Sequence, residues 1–279
     1  MVHTFENFAH SYWKNGKPIF APSAKGVEWG ERVKRRVAKL SKFDHFVYHF
    51  KDGSHVKALH SHRVNTFFCR VDIERFFYSI KRNRVKRVLR DVGIRHAEEF
   101  AKWSTVKNPY EGGGYVLPYG FIQSPILATL VLMSSPAGAF LRQLDPAAIA
   151  VSVYMDDICL SSNDEVALWE AFEGLQAAIG AAGFSMNAAK TRTPAKSIDI
   201  FNCNLEQGST EVQKERIAEF YSEPRSGNSI EGFETYVDIV KSHTWRAARK
   251  RKRQLYLRGA LKSAAKKTQG AASAPTSIS

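Results

Sequence analysis

The sequence predicts an α+β fold, strands and helices in separate segments, on three observations. Short apolar runs end on or enclose carboxylates, as in residues 67–73 (FFCRVDI) and 151–161 (VSVYMDDICLS). Segments with helical spacing and recognisable start and stop signals lie between them. Turn chemistry separates the two kinds of segment.

Taken in order, residues 1–30 are mixed and rich in aromatics, Gly and Pro, and are expected to wrap over the body. Residues 31–41 read as a basic amphipathic helix with Val33, Val37 and Leu40 on one stripe. Residues 46–51 and 54–59 flank Asp52-Gly53 and read as a β-hairpin, because Asp-Gly suits the positive φ of a tight turn. Residues 67–73 read as a buried strand that ends in an acid, and residues 81–93 as a basic helix stopped by Gly93. The glycine-rich stretch 108–120 is a loop with room for a short hairpin. Residues 124–144 read as one apolar helix, with Ser124 as N-cap and Pro125 at its first position. Residues 151–161 read as a hairpin around two carboxylates, 164–182 as a capped helix ended by Gly183, and 197–205 as an alternating strand. From Glu211 the chain reads as helical, and after Lys267 as a small, polar, disordered tail.

The chain has 279 residues and 44 % hydrophobic content, enough for a core of one large domain or two close-packed subdomains. Its net charge is +14 and its pI about 9.7. Such a field attracts polyanions, although on charge alone a merely solvated basic surface is an equal reading. Cys69, Cys159 and Cys203 match no zinc spacing and sit in apolar runs, so buried thiols in a reducing cytoplasm are expected. Residues 1–10 carry no apolar signal core and no run reaches about 18 apolar residues, so no membrane span is expected.

Asp72, Asp156 and Asp157 are acids set among strand-forming residues. A buried carboxylate costs several kcal/mol unless paired or metal-bound. Taken alone, Asp156-Asp157 reads more readily as an exposed hairpin turn. If the strands at 67–73 and 151–161 are adjacent, Asp72 and Asp156 meet at one end of a sheet. They then form an oxygen-rich site suited to Mg²⁺, and two such ions can clamp an in-line phosphoryl displacement.

Four motifs in order carry a family resemblance. Val71-Asp72-Ile73-Glu74-Arg75-Phe76-Phe77-Tyr78-Ser79-Ile80 resembles motif A of prokaryotic reverse transcriptases, and Tyr154-Met155-Asp156-Asp157 resembles their motif C. Residues 117–127 (LPYGFIQSPIL) resemble motif B, and residues 183–191 (GFSMNAAKT) resemble motif D. Residues 198–205 sit where that family's primer-grip hairpin belongs. The form YGFIQSP is closest to abortive-infection and defence-associated members, and more distantly the chain is similar to retron enzymes. It departs from the pattern in having Tyr119 where motif B usually has glutamine, with Gln123 later. No retron VTG segment follows motif D, and no RNase H, HNH, zinc-endonuclease or integrase-like pattern is evident.

The resemblance implies a right-hand polymerase whose palm is an antiparallel sheet backed by helices, with residues 1–66 as N-terminal region and fingers, 67–206 as palm (fingers insertion near 81–118), 207–262 as a helical basic thumb and 263–279 as tail. It implies template-directed addition of dNTPs through two Mg²⁺ ions, with Mn²⁺ as substitute. Asp72, Asp156 and Asp157 and the Ile73 carbonyl would hold metal, and Lys190 would serve the leaving pyrophosphate. Arg63, Phe77, Tyr119, Gly120 and Gln123 would meet the nucleotide, Phe77 as the sugar gate. Arg63 is chosen for its phosphate-matching fork, with Lys51, Lys57 and His62 as alternatives. Arg246, Arg249, Lys250, Arg251, Lys252 and Arg253 would track the template–primer backbone. Expected partners are an RNA template, a dedicated non-coding RNA above all, the DNA product, and a second polymerase subunit or effector protein; the expected setting is antiphage defence. Three other readings share these residues: template-independent DNA synthesis, RNA-dependent RNA synthesis, and a non-catalytic RNA-binding scaffold.

Overall fold

The computed structural model of the chain describes residues 6–110 and 112–242. The first element is a hairpin, β1 (Phe8–Lys14) and β2 (Lys17–Pro22), closed by Asn15-Gly16, both at positive φ. It does lie over the body: Phe20 N–H donates to the Tyr119 carbonyl at 3.0 Å. Ser23 then caps α1 (Ala24–Leu40), its Oγ accepting from Gly26 N–H at 3.0 Å. This helix begins earlier than the spacing of Val33 and Val37 suggests. Gly26 and Gly30 extend the buried stripe toward the N-terminus, and Leu40 falls off it, exposed. A Cβ on Gly30 would lie 2.5 Å from Gln123 Oε1, so the stripe needs glycine there.

The hairpin expected around Asp52-Gly53 is not formed. Gly53 does turn the chain, at φ 90°, but into α2 (Ser54–His62), where Val56 and Leu59 are buried one turn apart. Over six residues a period of two and a period of three and a half are hard to separate, and packing against the sheet selects the helix.

Next come β3 (Phe67–Asp72), α3 (Phe76–Ser79), α4 (Arg82–Asp91) and α5 (Ala97–Trp103). The glycine-rich loop does hold a short hairpin, β4 (Val106–Lys107) with β5 (Tyr115–Val116). The apolar segment expected as one helix is two, α6 (Ser124–Met133) and α7 (Pro136–Gln143), bent by 66°. Pro136 supplies no N–H and disfavours helix in the residue before it, so the break falls at Ser134-Ser135. The cap of α6 is Gln123 rather than Ser124, with Pro125 inside the first turn. Among the described residues no single helix is long and apolar enough to cross a membrane.

β6 (Ala150–Tyr154) and β7 (Asp157–Ser162) form the expected carboxylate hairpin, and α8 (Glu165–Ala181) follows. Asp164 caps α8 by accepting from Val166 and Ala167 N–H. β8 (Arg192–Ala195) completes a four-stranded antiparallel sheet in the order β6-β7-β3-β8. Helices α6 and α8 close one large core over it, with Val71, Ile158, Leu160, Leu127 and Leu175 all fully buried.

The alternating run 197–205 is two strands, β9 (Ser197–Ile200) and β10 (Cys203–Glu206), turning at Phe201-Asn202 with positive φ. A hairpin therefore stands where the resemblance places one. The helical reading from Glu211 starts too early: β11 (Ser209–Val212) adds a third strand before α9 (Lys214–Tyr221) and α10 (Gly227–Lys241). This small sheet, α2 and α10 share a second core through Leu59, Leu205, Ile239 and Val240. All three cysteines are buried in strands, with free thiols. The basic residues from Arg246 to Arg253 and the tail lie outside the described residues.

His62 fixes α2 to the sheet. It is 1 % exposed, with Nδ1 at 2.7 Å from Ser161 Oγ and Nε2 at 2.8 Å from Ser152 Oγ. Burial pushes its imidazole down to about 4 from 6.5. The neutral ring is the folded form, so the unfolded chain takes up the proton first. Stability is complete above pH 6.5 and is lost as pH falls toward 4, by on the order of 3 kcal/mol from this group. We expect chemical denaturation to show that decline, and His62→Gln to flatten it; an unchanged slope would remove His62 as its source.

Candidate active site

The site is built by strand register. Asp72, the last residue of β3, pairs with Asp157, the first of β7, and the β6–β7 turn carries Met155 and Asp156. Met155 takes φ 59°, which turns the chain tightly enough for Ile73 N–H to donate to the Asp156 carbonyl at 3.0 Å. The segment after α8 closes the other side, with Asn187 N–H donating to the Asp72 carbonyl at 2.8 Å. Three carboxyl groups thus gather at one end of the sheet, as adjacency of the two strands requires.

A cavity of about 310 Å³ opens there, lined among others by Asp72, Ile73, Asp156, Tyr119, Lys190 and Lys17. Asp72 is 2 % exposed. Burial raises the Asp156 carboxyl above its ordinary range and the neighbouring Asp72 adds to this, while Lys17 and Lys190 oppose it. Burial also pushes Asp157 up to about 6 against the pull of Arg70. Lys190 Nζ lies 3.5 Å from Asp72 Oδ2. A larger cavity of about 440 Å³ lies elsewhere, and its one Asp–Arg pair, Asp44 with Arg142, is mutually satisfied at 2.8 Å.

The donors suit a hard cation in part. Asp72 and Asp156 face the same cavity as Ile73, and a carboxylate whose proton affinity is raised by burial and by a neighbouring acid, as at Asp156, is a setting that a divalent ion relieves. Asp157 is placed differently: Arg70 Nε and Nη2 both approach its Oδ1 at 2.7 Å. Among the described residues, accordingly, no three His, Cys, Asp or Glu side chains are arranged to hold a metal ion together.

The nucleotide-contact candidates divide. Tyr119 lines the cavity. Phe77 lies behind it, 8 % exposed, the two rings edge-to-face at 4.7 Å. Phe76 and Phe77 both belong to α3, and both rings are buried. Gly120, at φ 101°, is required by the N-terminal hairpin, because a Cβ would lie 2.2 Å from the Phe20 carbonyl oxygen. Gln123 is buried against Trp103 and Ser104 at the α5 C-terminus. Arg63 is not at the cavity: its guanidinium donates to Thr210 Oγ1 and to the carbonyls of Val240 and Ser242, fastening α2 to the end of α10. That use fits a guanidinium fork as well as phosphate does, since carbonyls at a helix C-terminus carry partial negative charge. The alternatives fare no better: Lys51 donates to the His45 carbonyl, His62 is sealed in the core, and Lys57 does not line the cavity.

Two residues escaped the sequence reading. Lys17 reaches the cavity from the β1–β2 hairpin, its Nζ 5.1 Å from the centre of the Tyr119 ring, and nothing local in the sequence marks it. Arg70 did carry a signal, a charge inside the apolar run FFCRVD.

Comparison with known proteins follows the same line. The family described as reverse transcriptase (RNA-dependent DNA polymerase) matches residues 25–205. Telomerase from Candida albicans, solved with a fragment of telomeric RNA, superposes with a TM-score of 0.50 at 12 % identity, covering 68 % of this chain and 39 % of that one. A foamy viral protease-reverse transcriptase, solved with double-stranded DNA, gives 0.47 at 16 % identity, covering 80 % and 33 %. The chain thus spans about a third of the length of these solved relatives. No curated protein sequence matches it. The fold is that of a right-hand polymerase, and with the matched region covering more than half of its length the chain belongs to the reverse transcriptase (RNA-dependent DNA polymerase) family.

Proposed function

We propose that the chain is an RNA-directed DNA polymerase whose reacting atoms meet at the cavity bounded by Asp72 and Asp156. The observation that carries this reading is the pairing of β3 with β7, which sets two carboxylates, Asp72 buried and Asp156 partly so, beside two lysines in a space of nucleotide dimensions. A primer 3′-hydroxyl, or a protein hydroxyl, attacks the α-phosphate of a dNTP and pyrophosphate leaves. Divalent cations, two Mg²⁺ by preference with Mn²⁺ as substitute, supply charge neutralisation and hydroxyl activation when bound. Asp72, Asp156 and the Ile73 carbonyl are the groups to hold them, with Asp157 beside them.

Lys190 stands where it can balance charge on the departing pyrophosphate or give it a proton. Lys17 takes the triphosphate role first sought at Arg63, because it is a cation facing both Asp156 and Tyr119. Tyr119, backed by Phe77, forms a rigid aromatic wall against which a 2′-hydroxyl has no room. The basic residues from Arg246 to Arg253 are assigned to the template–primer backbone on charge alone. A dedicated non-coding RNA as template, an accessory subunit or effector and a role in antiphage defence follow from motif style, and a cytoplasmic setting from the three buried free cysteines.

Primer extension on an RNA template tests the reading. We expect purified chain with its co-purifying RNA to incorporate dNTPs in Mg²⁺, and Asp156→Asn to lose at least about 10³-fold in rate. Activity that survives this substitution would contradict the reading. Sequencing the product separates copying from untemplated synthesis. In the same assay Lys17→Ala should raise KM for dNTP about tenfold, and Phe77→Ala should reduce the preference for dNTP over rNTP by a similar factor. An unaltered sugar preference would take the aromatic wall out of the account.

A further inference from the structure

Arg70 lies in the central strand with its side chain 10 % exposed, beside the carboxylates to which the polymerase chemistry is assigned. A guanidinium buried this far is costly unless its donors are met by negative charge. They are met unequally. Nε donates to Asp157 Oδ1 at 2.7 Å and Nη2 is ion-paired with the same oxygen at 2.7 Å; Nη1 reaches Asp199 of β9 at its carbonyl (3.2 Å) and Oδ2 (3.4 Å). Nη2 comes only within 3.6 Å of Asp72 Oδ2, and no contact to Asp156 is present. Asp199 is held in turn by Arg192 Nε at 2.5 Å. A chain of alternating charge, Arg192–Asp199–Arg70–Asp157, therefore runs from β8 through β9 to the β6–β7 turn.

This arrangement sorts the three acids. Asp157 Oδ1 already accepts a charge-assisted hydrogen bond from Arg70 Nε and is ion-paired with Nη2, which lowers its value as a metal donor. Asp72 and Asp156 remain directed at the cavity. Alternation along β3 explains the choice: Cys69 and Val71 face the large core, while Phe68, Arg70 and Asp72 share the opposite face with β9.

We propose that Arg70 is a positioning residue that holds Asp157 out of the cation-binding pair and ties it to Asp199, so that the β9–β10 hairpin and the catalytic turn keep one relative position. The inference rests on the polymerase reading of the cavity. Arg70 is then an internal cation that limits how tightly the site binds divalent ions.

The test is Mn²⁺ affinity of the full chain, followed by electron paramagnetic resonance of free Mn²⁺ without nucleotide. We expect Asp156→Asn to weaken binding at least tenfold and Asp157→Asn to change it by no more than about threefold. Removing the adjacent positive charge in Arg70→Met should tighten binding about tenfold. Much of that gain should vanish in the double variant Arg70→Met/Asp157→Asn, where no released carboxylate is present. If Asp157→Asn weakens Mn²⁺ binding as much as Asp156→Asn, or folded Arg70→Met binds no more tightly than the parent, the proposal is overturned. Should Arg70→Met fail to fold, the comparison of Asp156→Asn with Asp157→Asn still decides. Mn²⁺ affinity insensitive to Asp156→Asn would instead overturn the polymerase reading, and this inference with it.

Discussion

The antiparallel register of β3 on β7 is the constraint from which the rest of the site follows. It sets Asp72 across from Asp157 and brings the Asp156 turn against Ile73. A slip of one residue would turn Asp72 into the core and Val71 out of it. The large core enforces the register, because Val71, Ile158 and Leu160 are fully buried beneath α6 and α8. Stability of the fold and geometry of the site are thus one property. Hydrophobic burial holds carboxylates where each alone would be unfavourable, and Arg70, Lys17 and Lys190 offset that charge from three directions.

Two peripheral devices complete the arrangement. The N-terminal hairpin is mostly exposed, yet it is registered against Tyr119 through Phe20 and depends on the missing side chain of Gly120. It carries Lys17 to the cavity without belonging to the palm sheet. At the opposite side Arg63 joins α2, β11 and the end of α10, so the C-terminal helix is fastened by a guanidinium as well as by Leu205, Ile239 and Val240. The buried arginine most easily read from the sequence as a phosphate ligand is a structural fastener, and the arginine passed over contacts Asp72 and Asp157.

The sheet, its order of motifs and the meeting of Asp72 with Asp156 were legible because they rest on local patterns: apolar runs, acids at their ends, and a tight turn. Helix α8 was legible from Asp164 and Gly183. The errors have physical causes. α2 was misread because Val56 and Leu59 fit two periods over too short a span. The α6–α7 break was missed because the apolar content runs on across Pro136. The roles of Arg63, Gly120, Gln123 and Lys17 depend on partners far along the chain, which no local pattern encodes. Arg70 was the avoidable omission, since a charge within a buried strand must have a partner.

The central claim is that Asp72 and Asp156, rather than Asp157, define where a divalent cation sits. Its most direct test is anomalous scattering from crystals grown with Mn²⁺ and a non-hydrolysable dNTP. We expect a manganese peak shared by the carboxylates of Asp72 and Asp156, with Asp157 still on Arg70. A peak on Asp157 with Arg70 displaced, or none between Asp72 and Asp156 while the nucleotide is bound, would contradict it.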